Sequence, residues 1–254
     1  MCTLVILRRP GHAWPLLLAA NRDEMLDRPW QPPARHWPDR PEIVAGRDEL
    51  AGGTWLGVND HGVAAAVLNR VGSLGPTTDK RSRGELVLDA LDHADAAAAA
   101  EALADLDGTA YRSFNLVIAD NCDAYWVRST GDAKIDVAPV PAGLSMITSG
   151  ELNDTDSPRV GNFLRRFNEA PAPDIETGDW SSWESLLASR LYDAADGPHE
   201  AMSIVTDRGY GTVSSSLIAL PSVEQSEQHS IWRFAAGRPG DAAFEAVATA
   251  TNTA

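Results

Sequence analysis

Residues 3–7 and 15–20 are two short apolar runs on either side of a turn containing Pro10-Gly11, and neither run alternates apolar with polar residues. A strand with one solvated face shows that alternation, whereas a strand without it needs cover on both faces. The pair therefore reads as a β-hairpin buried on both sides, which the rest of the chain must cover. The second run ends in four polar residues, Asn21-Arg22-Asp23-Glu24, at the mouth of the expected sheet. Charges clustered where a strand leaves a core mark either a solvated turn or a site.

Residues 27–41 hold five of the sixteen prolines together with Trp30 and Trp37. Proline lacks a backbone donor, which excludes a helix or a central strand here. An ordered loop walling a pocket and a surface connector whose tryptophans patch the core both remain open. Gly52-Gly53 leads into an apolar run, Asp60-His61-Gly62 makes a tight turn, and residues 63–68 return as a strand. This second hairpin delivers Asn69 at a strand end. Residues 70–82, with Gly72, Gly75 and Pro76, read as loop.

From Arg83 the period changes. Leu86, Val87, Ala90, Leu91 and Ala94 mark one helix face, and residues 95–106 form an alanine-rich second helix closed by Asp107-Gly108. Strands are expected at 114–119, 125–129, 135–138 and 144–148. Helices follow at 157–167 and 180–192 around a linker at 170–178, with a closing strand pair at 212–220 and 230–235. The tail after Gly240 has no clear packing signal. There is no internal repeat or firm boundary, so residues 1–254 read as one domain. Strands and helices in separate blocks indicate an α+β fold with antiparallel sheets. Two sheets stacked between two helix layers, αββα, accommodate every segment.

Cys2 becomes the N-terminus if Met1 is trimmed. Its thiol, with a pKa of about 8.5, would then share a residue with an α-amine of roughly 7.7–8.0, a nucleophile beside its own base. The plainer reading is a small residue that starts a strand. Cys122, in Asp120-Asn121-Cys122-Asp123, reads as a hairpin turn whose acidic neighbours raise its thiol pKa. Two cysteines make neither a metal spacing nor a disulfide framework, and no metal site is expected.

The net charge is −15, with Lys80 and Lys134 the only lysines, so the surface repels phosphate backbones and nucleic acid is not expected as a partner. No apolar run reaches the ~18–20 residues of a membrane span. Residues 3–7 are too short for a signal peptide and precede Arg8-Arg9 instead of following them. A cytoplasmic address is expected.

Seven segments in order resemble the NRDE family, also called the transport-and-Golgi-organisation protein 2 family. They are Met1-Cys2 with Ala20-Asn21-Arg22-Asp23-Glu24, Arg28-Pro29, Gly52-Gly53-Thr54-Trp55-Leu56-Gly57, Arg83-Gly84-Glu85-Leu86, Phe114-Asn115-Leu116 and Tyr210-Gly211-Thr212. The resemblance implies an N-terminal nucleophile (Ntn) hydrolase-like αββα fold related to bile-salt and penicillin V acylases, which cut non-peptide amides. By that likeness Cys2 is the nucleophile, Arg22 lowers its thiol pKa, and Asp23 holds its amine. Asn69 donates to the oxyanion, and Asn21, Trp55 and Arg159 contact substrate. A second acylase asparagine falls near Gly150, with Asn153 as the alternative. The implied substrate is a small-molecule amide or thioester, with no cofactor.

The resemblance also carries a rival, because related proteins have been linked to haem handling and to lipid or acyl-CoA metabolism. On that reading the chain is a non-catalytic haem or acyl-lipid carrier. Haem would need an axial His, Cys, Met or Tyr. Cys2 is one candidate, while His12, His36 and His61 lie in expected turns or the proline-rich loop.

Overall fold

The structure, a computed structural model, describes residues 1–75, 77–225 and 228–249. Its strands are β1 (Thr3–Arg8), β2 (Leu16–Met25), β3 (Trp30–Ala34), β4 (Ile43–Asp48), β5 (Leu56–Asn59), β6 (Ala64–Asn69), β7 (Phe114–Ala119), β8 (Ala124–Ser129), β9 (Asp136–Pro139), β10 (Gly143–Ile147), β11 (Tyr210–Leu220), β12 (Ile231–Ala235) and β13 (Glu245–Ala246). The helices are α1 (Arg83–Leu91), α2 (Ala96–Ala104), α3 (Pro158–Glu169) and α4 (Ser181–Leu187).

Two antiparallel sheets result, one ordered β10-β1-β2-β11-β12-β13 and the other β3-β4-β5-β6-β7-β8-β9. The first hairpin pairs Thr3 with Asn21 through to Arg8 with Leu16, and β11 flanks β2 on its other side. Its lack of alternation now has a cause. Leu4, Ile6, Leu16 and Leu18 enter the slab between the sheets, while Val5, Leu17 and Ala19 enter the slab beneath α3 and α4. Burying each such aliphatic side chain contributes roughly 1.5–3 kcal/mol. A third slab lies between the seven-stranded sheet and α1 and α2, where Leu86, Val87, Ala90 and Leu91 pack on Ala65, Phe114 and Leu116. The layer order is the expected αββα. Helix ends are capped as their sequences suggest: Ser82 accepts from the Gly84 amide, and Asp95 from that of Ala98.

Four segments differ from the sequence reading. Part of the proline-rich stretch is strand β3, which survives Pro32 and Pro33 because it lies on a sheet edge and is irregular between Gln31 and Ala34. Strand β4 was not anticipated, since its apolar run is only Ile43-Val44-Ala45 before Gly46. Helix α4 stops at Leu187 instead of 192, leaving Leu191 and Tyr192 exposed with nothing to bury. The tail does pack: β13 pairs with β12, and Val247 reaches the inter-sheet core. Pro76 of the 70–82 loop and the tail beyond 249 lie outside the described residues. No helix among the described residues is long and apolar enough to cross a membrane.

Candidate active site

The polar end of β2 is a strand, so its side chains alternate between faces. Asn21 and Asp23 point beneath the sheet towards α3 and α4. Arg22 and Glu24 point towards the second sheet. The alternation sorts a cluster of four neighbours into two separate networks.

In the lower network Asn21 is fully committed. Its amide donates to the carbonyls of Leu187 (2.9 Å) and Met202 (2.8 Å), and its Oδ1 accepts from Ser215 Oγ (2.5 Å). Asn21 lines the cleft, but its polar atoms are committed to tying the helix layer to the sheet. Asp23 Oδ1 accepts from Thr212 Oγ1 at 2.6 Å, and Oδ2 lies 3.2 Å from the Met1 amine and 3.4 Å from Arg159 Nη1. A bulge in β11 between Thr212 and Ser214 brings Thr212 opposite Asp23 and Ser214 opposite Arg22. Arg159 is fully buried. Its Nη1 also donates to Met1 O (2.5 Å) and Thr3 Oγ1 (2.9 Å), and its Nη2 to His199 O. Arg159 thus reaches the site, but under the N-terminus, where it positions backbone instead of lining a substrate surface.

Cys2 sits on top of this network. Its sulfur accepts from the Asp23 amide at 3.4 Å and its thiol faces the Asp23 carbonyl at 3.6 Å. Burial pushes the thiol pKa up and the Asp23 charge adds to this, outweighing the Met1 amine, the Asp23 hydrogen bond and Arg22. Arg22 acts in the expected direction, lowering the thiol pKa, but burial outweighs it in the chain that carries Met1. Arg22 is itself occupied: its guanidinium stacks 4.2 Å from the Trp55 ring and its Nη2 lies 3.3 Å from Asp48. Asp48 is shared with Arg28, at 2.6 Å. Burial raises the Asp48 pKa, but the bonds from Arg28 and the Ala51 amide, with the charges of Arg28 and Arg22, bring it below the usual value.

The Trp55 ring lies flat against β4, where a Cβ on Gly46 would come within 2.3 Å of it, and it meets Trp30 edge-on at 5.8 Å. A narrow cleft follows between the sheets, lined by Cys2, Arg22, Trp55, Leu68, Ser214 and Ser216 among others. Its interior has room for about one water, roughly 20 Å³, well below the range for small-molecule sites, so a ligand has to lie across its open mouth. Asn69 follows Leu68 at the end of β6, half-buried, and its side-chain amide has no hydrogen-bond partner among the described residues.

The residues weighed for a second oxyanion donor are otherwise engaged. Asn153, at a φ of +58°, accepts from the Met146 amide and donates to Ser145 Oγ. Asn115, which the sequence reading quoted only as a motif member, bonds the carbonyls of Thr148 and Gly150 and accepts from Arg70 and Trp126. It clamps the segment running past Cys2, where Ser149 Oγ lies 2.7 Å from Met1 Sδ. Asp48 and Thr212 were missed as site residues. Thr212 stood in a quoted motif, but only the bulge makes it a partner of Asp23. Among the described residues, no three His, Cys, Asp or Glu are grouped to hold a metal ion.

A sequence profile described as Transport and Golgi organisation 2 matches residues 1–229. The chain belongs to this family. The human Transport and Golgi organization protein 2 homolog is 39% identical over 114 residues, which is 43% of this chain and 40% of the human protein. The mouse homolog is 37% identical over 112 residues, with the same coverage. The aligned stretch thus spans less than half of these relatives.

Solved structures extend the likeness over nearly the whole fold. A Caenorhabditis elegans N-acylethanolamine-hydrolyzing acid amidase ortholog superposes with a TM-score of 0.59 at 14% identity, covering 89% of this chain and 95% of that one. A C2A mutant of the conjugated bile acid hydrolase of Clostridium perfringens gives 0.54 at 13%, covering 97% and 92%. The penicillin V acylase of Agrobacterium tumefaciens gives 0.51 at 16%, covering 92% and 83%. At such identities the likeness concerns the fold, which is that of the Ntn hydrolases.

Proposed function

We propose that this family member is an N-terminal cysteine hydrolase that cleaves a small-molecule amide or thioester after removal of Met1. The observation that carries the reading is the seating of Cys2: its sulfur is bonded to the Asp23 backbone, and the Asp23 carboxylate lies 3.2 Å from the Met1 amine, one residue before the amine that trimming would free. In the trimmed chain the Cys2 α-amine takes the thiol proton, and the sulfur attacks the substrate carbonyl carbon. The tetrahedral oxyanion receives a hydrogen bond from Asn69, whose amide is uncommitted. Collapse breaks the C–N or C–S bond, and the ammonium proton goes to the leaving group. Water, deprotonated by the same amine, then releases the acid and restores the thiol. Asp23 and Arg159 position the amine without touching substrate.

A haem or acyl-lipid carrier on the same fold is the second reading, and haem fits these residues poorly. His12 Nδ1 accepts from the Trp14 amide, His36 pairs with the Pro32 carbonyl, and His61 pairs with Glu42. None of the three lines the cleft, which leaves Cys2, with its raised thiol pKa, as the axial candidate there.

Intact-mass analysis of the mature protein, before and after incubation with mixed acyl amides and acyl thioesters, tests the proposal. The expected result is a chain lacking Met1 that gains an acyl adduct on Cys2, and no adduct on Cys2→Ala. A mature chain that retains Met1, or a Soret shift with haemin that depends on Cys2 without any turnover, overturns it.

A further inference from the structure

The arginines around the cleft divide by partner. Arg22 and Arg28 meet Asp48, Arg70 and Arg128 meet Glu151, and Arg159 meets Asp23. Arg83, the first residue of α1, meets no carboxylate among the described residues. Its Nη1 donates to the Ser73 carbonyl and hydroxyl, both at 2.8 Å, and to the Ser113 carbonyl at 3.2 Å. These bonds fix the plane of the guanidinium. Its Nε and Nη2 have no hydrogen-bond partner among the described residues, and neither is sealed from solvent.

The fork stands at the cleft end of the second sheet. Ser113 immediately precedes Phe114, which pairs with Asn69. On its other side, α1 begins against the strand that carries Trp55: the Thr54 amide donates to Gly84 O at 3.2 Å, and a Cβ on Gly53 would lie 2.6 Å from the Gly84 carbonyl carbon. Burial, with Arg112 adding to it, lowers the Arg83 pKa to about 10, so the group stays charged at neutral pH. The groups whose negative forms oppose this shift are Glu24 and, once ionised, Cys2, both near the site. The prepositioned guanidinium has no counter-ion among the described residues, and its free, water-accessible Nε and Nη2 match the two oxygens of a carboxylate. On a surface of net charge −15 an anion also needs a local cation to be admitted.

We propose that Arg83 is the anion-binding subsite of this cleft and that the substrate is an amide carrying a carboxylate, which the free edge of the Arg83 guanidinium receives. The assignment rests on the hydrolase reading, because it is the bond presented to Cys2 that makes the carboxylate's position matter.

The test measures binding apart from turnover, using the full-length Cys2→Ala chain, with N-decanoylglycine and its neutral counterpart N-decanoylglycinamide as calorimetric probes. The acid is expected to bind about 10- to 100-fold more tightly, as a charge-assisted pair predicts. Adding Arg83→Gln should bring the two probes to parity with the amide's affinity unchanged, and Arg83→Lys should restore part of the difference. Equal binding of the probes, no binding of the acid, or a preference that survives Arg83→Gln overturns the proposal. Should Arg83→Gln fail to fold, sodium phosphate decides in the Cys2→Ala chain: it must compete against the acid and leave the amide unaffected. The chemistry is judged separately, by acylation of intact Cys2 with the neutral thioester S-phenyl thiodecanoate. Acid-selective binding without that acylation would sink the hydrolase and leave the subsite standing.

Discussion

Asn21 and Asn69 look alike in the sequence, each ending an apolar strand of an early hairpin, yet they stand on different sheets and behave differently. Asn21 spends its amide on two carbonyls and a hydroxyl and is sealed from water. Asn69 spends its amide on nothing within the described protein. The contrast extends to their surroundings. On the side of the six-stranded sheet, Arg22 and Arg159 each meet a carboxylate and Asp23 is bonded through both oxygens. On the side of the seven-stranded sheet, Asn69 and Arg83 keep donors without partners among the described residues. A reactive centre must be held rigidly before substrate arrives, whereas the groups that recognise substrate must be unsatisfied until it does.

The sharpest way to break this contrast is to cut the satisfied side. Asp23→Asn leaves Arg159 buried without its counter-charge, which should cost about 3–5 kcal/mol of stability, read as a lower denaturation midpoint. On the open side, Asn69→Ala should leave that midpoint nearly unchanged and slow turnover roughly 10²- to 10³-fold, the usual penalty for one lost oxyanion donor. Asn21→Ala should do the reverse. It strands the Leu187 and Met202 carbonyls at about 1–3 kcal/mol each and leaves the activity per folded molecule intact. If Asn21→Ala and Asn69→Ala behave alike, the two sides are not specialised as described.

Two smaller effects follow from titration. Asp48 has a lowered pKa, so its pairing stabilises the fold above the ordinary carboxylate range and is lost as pH falls through the lowered value. Asp48→Asn should therefore weaken the protein at neutral pH and have little effect in strong acid, where both forms are uncharged. Cys2 has a raised pKa in the chain bearing Met1, so the fold favours the thiol and loses stability as pH climbs past the ordinary thiol value near 9. In that form Cys2→Ser should flatten the alkaline limb of the stability profile, and alkylation of Cys2 should be slower than in an unfolded control.

The layer order was legible because it depends on patterns that survive without tertiary detail. The uninterrupted apolar runs of β1 and β2 demanded two covering layers, and the change of period at Arg83 marked where one of them begins. The meeting of Cys2 with Arg22 and Asp23 was legible through motif resemblance. What each side chain faces was not. Asn21-Arg22-Asp23-Glu24 looked like one polar patch until pairing placed alternate members on opposite sides of the sheet. Thr212 could not be matched to Asp23 without the bulge, a feature of register that no local pattern encodes. Nor could the sequence separate Arg83 from Arg22, Arg28, Arg70, Arg128 and Arg159, since what sets it apart from them is the absence of a carboxylate partner among the described residues.

The contact between Gly53 and Gly84 has a consequence for ligand size. Two bare backbones touch there, so the span from the Trp55 wall to the first residue of α1 is set by main chain alone, independent of any side chain that could be trimmed or lengthened. Gly53→Ala would act like a shim, pushing helix and strand apart and lengthening the shortest molecule able to bridge sulfur and guanidinium.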